Sequence, residues 1–225
     1  MDATAAALLR AEGVALRAVR ATVAQQTAGG VRTAAGARDL ASRTGRITAE
    51  TLRTARTMAK RVGSQTLATE LQVVTGRDAL LRSPRLTQDE ERQLREDETA
   101  MGEAVLAAST ALIAAKGRAG GDTLAAKLDG RVKRFVATEV AQGFNTEREG
   151  ALLDYQRDPA NRFLPVLLRR WNATLDRRTC SACRSLDGQS APVGMNFDGG
   201  QVPGTVHPYC RCFSTLMPIP LYVTR

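Results

Sequence analysis

The chain has 225 residues, 43% hydrophobic and 24% charged, with a net charge of +9. Its nearly uncharged apolar stretches, Ala104 to Ala115 among them, reach only about a dozen residues. That is too short for a membrane-spanning helix, which excludes that class of protein. Nothing at Met1-Asp2 resembles a secretory leader or a lipidation signal, so neither is expected.

The first 61 residues carry eleven Lys or Arg against four acids, most of the positive excess. Such a segment can hold phosphate backbones by releasing counterions. It contains no aromatic residue for stacking on bases, so a solvated helix face explains it at least as well. All nine aromatic residues lie at or after Phe135, and seven of the eight prolines at or after Pro159. The front of the chain is therefore rich in helix formers and poor in bulky core residues.

In chain order, helices are predicted over 3–26, 47–62, 87–116 and 122–145. In the first, Leu9, Leu16 and Val23 recur every seven residues, while Glu12 interrupts the alternate row of Ala5 and Val19. This narrow stripe suits packing on a partner helix. The glycine-containing stretch 28–45 reads as a loop or hinge. Pro84 marks a break, and Thr87 followed by Glu90 reads as a capping box. The charged run from Asp89 to Glu98 reads as a solvated face.

Gly117 to Gly121 is the expected linker between a helical, basic docking region at 1–121 and a second domain at 122–225. The helix after Asp122 aligns Val132, Phe135, Val136, Val140 and Phe144 on one face together with Glu139. A carboxylate on an apolar stripe needs a cationic partner, and Arg178 and Arg211 are the expected ones. Residues 163–174 and 211–217 read as strands, with turns at Asp187-Gly188 and Gly199-Gly200. The expected fold class is α+β: a mostly helical front, then a small domain with a short antiparallel sheet. The helices of 1–121 are expected to gain order only on binding, and 122–225 to fold alone.

The four cysteines, Cys180, Cys183, Cys210 and Cys212, lie within 33 residues together with the only histidine, His207. Cys180-Ser-Ala-Cys183 has the two-residue spacing that lets both thiolates reach one ion from a tight turn. If Cys210 and Cys212 lie on a strand, their sulfurs share a face and Arg211 takes the other. Five candidate ligands compete for four tetrahedral positions, Cys180, Cys183 and Cys210 first, then Cys212 or His207. A structural zinc ion is the reading that uses most of them. Disulfides would need an oxidising compartment. A redox CxxC leaves the downstream pair unused, and a Cys–His nucleophile leaves three cysteines idle. A catalytic zinc would need an open position beside an acid. The nearest acids, Asp176 and Asp187, read as turn residues.

Three blocks together resemble the Mu-F-like head morphogenesis family, the minor head proteins of tailed phages. They are Arg134-Phe-Val-Ala-Thr138-Glu139 with Asn145, Trp171 through Cys183 to Leu186-Asp187-Gly188-Gln189, and Val202-Pro-Gly-Thr-Val-His207-Pro208-Tyr-Cys210-Arg211-Cys212. The resemblance covers about residues 127–218. Val136-Ala137 stands where the family often has Ala-Arg. The resemblance implies a non-enzymatic virion protein located in the head near the portal, and in the host cytoplasm during assembly. Its implied partners are the portal, the major capsid protein and packaged duplex DNA, with several copies per particle and no membrane. The rival classes are a zinc-dependent enzyme, such as a nuclease or hydrolase, and a DNA-binding module delivered with the genome.

Overall fold

The computed structural model describes residues 3–79, 81, 84–161, 164, 166–174, 179–207 and 209–217. Four long helices come first: α1 (Ala3–Thr27), α2 (Ala34–Thr75), α3 (Gln88–Lys116) and α4 (Gly121–Arg157). A small sheet follows, built from β1 (Leu168–Asn172), β2 (Ser190–Pro192) and β3 (Phe213–Leu216) in the order β2-β1-β3. Both pairings are antiparallel. The short helix α5 (Ser181–Leu186) sits between β1 and β2 in sequence. The fold is α+β, as the sequence led us to expect.

Neighbouring long helices run antiparallel. Thr4 meets Glu70 and Thr22 meets Thr51 between α1 and α2. Arg53 meets Glu91 between α2 and α3, and Arg20 meets Asp129 between α1 and α4. α2 and α4 run parallel along the central seam, where Arg56 pairs with Glu139, Ser64 with Glu147 and Thr75 with Tyr155. The result is an up-down-up-down bundle in which α1 and α3 flank the α2–α4 seam.

The capping box forms as read. Thr87 Oγ1 accepts from Glu90 N, and the Glu90 carboxylate accepts from Thr87 N at 2.7 Å. The helix ends at Lys116, and Gly117 closes it with φ 69°. The stretch 28–45 departs from expectation. Only 28–33 is loop, and α2 starts at Ala34, capped by Thr33 Oγ1 accepting from Gly36 N. The glycine read as a hinge residue, Gly45, is instead a contact point. A Cβ there would lie 2.6 Å from Glu98 O of α3. α2 also runs on to Thr75 and α4 to Arg157, both beyond their expected ends.

On α1 the buried row is Thr4, Leu8, Ala11, Ala15, Val19, Val23 and Thr27, rotated from the predicted Leu9–Leu16–Val23 stripe. Small residues win the buried positions because α1 lies against two helices at once, where bulk would hold them apart. Leu8, Val19, Leu40, Leu52, Met101, Leu124, Val132, Val136 and Phe144 belong to one core spanning all four helices. The expected boundary at 117–121 therefore falls inside the bundle. Gly121 at the start of α4 packs so closely that a Cβ would lie 2.6 Å from Thr27 O. α4, assigned by sequence to the second domain, completes the core of the first three helices.

The sheet is fastened to the bundle by buried arginines. Arg148 of α4 donates to Glu70 and Thr66 of α2 and to Ser214 O of β3. Arg169 of β1 pairs with Glu149 of α4 and lies over the Phe197 ring, 4.8 Å from its centroid. Leu67, Leu71, Leu152, Leu167 and Leu216 fill the space between these bolts. The strands are shorter than the predicted spans 163–174 and 211–217, and residues 162, 163 and 165 lie outside the described set.

Candidate metal centre

Three segments converge on the sulfur cluster. The first is the start of α5, where Cys180 is the N-cap and its Sγ accepts from Cys183 N at 3.3 Å. One helical turn therefore turns both CxxC sulfurs the same way. The second is the turn at His207, closed by Cys210 N donating to His207 O. The third is the extended chain leading into β3. Cys210 and Cys212 precede that strand instead of lying on it, because β3 starts only at Phe213. Both are nonetheless buried, while Cys180 is partly exposed.

His207 Nε2 lies 3.1 Å from both Cys180 Sγ and Cys183 Sγ, and Cys183 Sγ lies 3.8 Å from Cys210 Sγ. Cys180, Cys183 and His207 form one potential ligand group, and Cys183, Cys210 and Cys212 a second, with ligand atoms in each within 4.8 Å of one another. Cys183 belongs to both. All five sequence candidates are thus brought together, and the four cysteines are unbridged. A tetrahedral zinc with bonds of about 2.3 Å to sulfur holds two sulfurs about 3.8 Å apart. The Cys183–Cys210 separation meets that spacing. The histidine contacts are about 0.5 Å tighter than the sulfur–nitrogen distance such bonds give. The donor set fits zinc in chemistry and number.

The environment divides the thiols. The Cys212 thiol donates to Cys210 and draws it down to about 5, with burial opposing. Cys212 is pushed up, first by that same donation and then by burial. Burial pushes Cys183 up to about 12. Burial also acts on Cys180, but the Cys183 N–H and neighbouring donors outweigh it and lower that thiol. Thiolate character is therefore favoured at Cys180 and Cys210, one in each of the two ligand groups that share Cys183.

A second tier of residues fixes the ligand loops on α4. Asn145 Nδ2 donates to Ala141 O and to Cys212 O at 2.9 Å. Tyr209 adopts φ 69°, a left-handed conformation unusual for a side-chain-bearing residue. Its hydroxyl donates to Gly130 O at 2.7 Å, its N–H to Thr138 Oγ1, and Arg134 lies over its ring. Gly204, at φ 84°, passes so close to α4 that a Cβ would meet Asn145 Nδ2 at 2.8 Å and Ala141 O at 2.9 Å. Trp171 of β1 closes the inner side, packed edge-on against Phe197 at 5.2 Å.

Glu139 is buried, at 1% exposure, as the sequence suggests, but its partner is different. Arg56 of α2 donates to Glu139 Oε2 at 2.7 Å. Of the two arginines expected from the sequence, Arg211 lies in the ligand loop and is not seen to pair with Glu139, and Arg178 falls outside the described residues. A pairing across 83 residues leaves no local sequence signal. Asp187 is a turn residue as read, accepting from Ala173 N at 2.8 Å. Asp176 is not among the described residues. The hollow beside the cluster, bounded by Thr174, Thr179, Tyr209 and the ligands, holds about 20 Å³, room for an ion or a water but no organic substrate. The chain matches no family model, no curated protein and no solved structure.

Proposed function

We propose that this chain is a structural, non-enzymatic minor head protein of a tailed phage, whose C-terminal ligand loops are fastened by zinc. One observation carries the reading. The three sequence blocks on which the family resemblance rests are one physical unit: Arg134, Thr138 and Asn145 hold the loop that presents Cys210 and Cys212, and that loop meets Cys180 and Cys183. Motifs far apart in sequence but interlocked in space support a shared architecture more strongly than separate matches do.

Zinc here would be held by four of Cys180, Cys183, His207, Cys210 and Cys212. Bound, it would supply a cross-link between α5 and the segment entering β3, with no open position required. The confined hollow favours that role over catalysis. The long helices then form the docking body. Portal, capsid protein and packaged duplex DNA are its partners in this reading, with the exposed Arg10, Arg17, Arg38, Arg46 and Arg61 of α1 and α2 available to phosphates. Its place is the virion head near the portal.

The test is assembly. The chain is combined with portal and major capsid protein of its own phage, heads are isolated by sedimentation, and the position of the chain is mapped by electron microscopy. Density at the portal vertex supports the proposal. A chain that stays free, or that hydrolyses nucleic acid in a zinc-dependent way, sinks it.

A further inference from the structure

The centre of the bundle holds an unusual concentration of buried charge. α2 contributes Arg56 and Lys60, α3 contributes Glu90 and Asp97, and α4 contributes Glu139, with Glu147 at the margin. Glu96 of α3 acts on Asp97 from outside. α1 carries Arg10, Glu12, Arg17 and Arg20 between its Thr4–Glu70 and Thr22–Thr51 contacts, and none of them is buried. Two buried cations thus face four carboxyl groups.

The cations are already engaged. Arg56 pairs with Glu139 Oε2 at 2.7 Å and with Glu90 at 3.3 Å. Lys60 donates to Glu90 at 2.9 Å and to Arg85 O, and lies 3.6 Å from Glu147. Gln93 donates to Asp97 Oδ1 at 3.4 Å. Three carboxylate oxygens of the cluster are buried without a hydrogen-bond donor: Glu90 Oε1, which has the Arg56 ion pair, and Asp97 Oδ2 and Glu139 Oε1. The Asp97 and Glu139 side chains belong to this one buried cluster, and each acts on the other's carboxyl as a neighbour. Two ionised carboxylates are acceptors only and cannot bond, so contact between them requires a hydrogen.

We propose that Asp97 and Glu139 share one proton, and that this carboxyl–carboxylate hydrogen bond clasps α3 onto α4 at the middle of the bundle. The seam it closes is the smallest between neighbouring helices, and its other cross-seam hydrogen bond runs from Arg131 to Ala100 O. Neighbouring like charges buried inside a protein disfavour each other's ionisation, which is how paired carboxyls come to hold a proton between them. Burial pushes both groups up, Glu139 to about 7 against its ordinary 4.5, with Arg56 opposing. The folded chain therefore binds more protons than the unfolded chain between about pH 4.5 and 7, and stability falls as pH rises through that window. Above it the clasp becomes a repulsive pair, and α3 loosens from α4.

The test uses the full zinc-loaded chain and Asp97→Asn, whose amide donates to Glu139 at every pH. Thermal unfolding is followed at pH 5 and pH 8, and protons released near pH 6 are counted by calorimetry in two buffers of different ionisation enthalpy. The variant is expected to melt higher than wild type at pH 8 but not at pH 5, and wild type to release about one proton more on unfolding than the variant. Equal melting differences at both pH values, with equal proton release, overturn the proposal. Should the variant fail to fold, infrared spectroscopy of the wild type decides. A buried protonated carboxyl band present at pH 6 and lost by pH 9 supports the clasp, and its absence at pH 6 refutes it.

Discussion

Alanine at Gly63 and alanine at Gly150 are the same chemical change made in two long helices, and the structure assigns them opposite signs. Gly63 of α2 faces α4 so closely that a Cβ would sit 2.6 Å from Phe144 O and 3.3 Å from Arg148 Cγ. The first of these is backbone and cannot swing aside, so α2 and α4 must move apart along their central seam. Forcing a methyl group into a packed interior costs about 1–3 kcal/mol. The better helix propensity of alanine returns at most about 1 kcal/mol. A net loss of about 1–2 kcal/mol follows, or about 2–8 °C in melting temperature for a chain of this size. Gly150 of α4 has no heavy atom within 4 Å of a Cβ. There the propensity gain stands alone, about 0.5–1 kcal/mol of stabilisation. Melting of both variants by circular dichroism reads the difference directly. If Gly63→Ala melts at or above the wild-type temperature, the tight seam is not a feature of the folded chain.

Three further outcomes are expected. The reduced chain should carry about one zinc ion, and Cys183→Ser, the residue common to both ligand groups, should lower zinc content more than Cys212→Ser; unchanged melting after complete chelation would remove the staple from the account. Asn145→Ala, which frees the Cys212 carbonyl, should weaken zinc affinity by about tenfold in competition with a chromogenic chelator while the bundle stays folded. Burial opposes ionisation of Glu90, but Thr87 N–H, Lys60 and Arg56 outweigh it and hold this carboxyl below its ordinary range. Its contribution is thus complete above about pH 4.5 and fades on acidification through the lowered value, so the deficit of Glu90→Gln in urea melts should shrink as pH drops, and a constant deficit would contradict this.

Local chemistry was legible in the sequence, and long-range packing was not. The Thr87–Glu90 box and the Asp187-Gly188 turn are set by neighbours a few residues apart, and both form as read; the helix that the box opens also ends at Lys116, where the sequence placed its end. The convergence of the five Cys/His residues was legible because their chemistry is rare and their spacing tight. The α1 face and the start of α2 were misread for one reason. Alanine, threonine and glycine carry the closest contacts here, and a hydrophobic pattern gives them little weight. The partner of Glu139 was misassigned because Arg56 looks, in sequence, like one more arginine of a basic surface. Its role appears only once α2 lies beside α4.

Glu70 gathers donors from three distant parts of the chain: Thr4 Oγ1 at 2.6 Å, Arg148 at 2.7 Å and Leu216 N at 3.0 Å. As the polypeptide emerges from the ribosome, Thr4 is already present when Glu70 appears, Arg148 arrives later, and Leu216 comes last of the three. Until then a carboxylate destined for the interface between helices and sheet holds an incomplete set of partners. The nascent bundle can collapse early, but this corner stays wet until β3 is added. A translational pause between Arg148 and Leu216 would therefore lengthen the life of an intermediate with helices packed and the sheet face uncovered, the stage at which a nascent chain is most open to capture by chaperones.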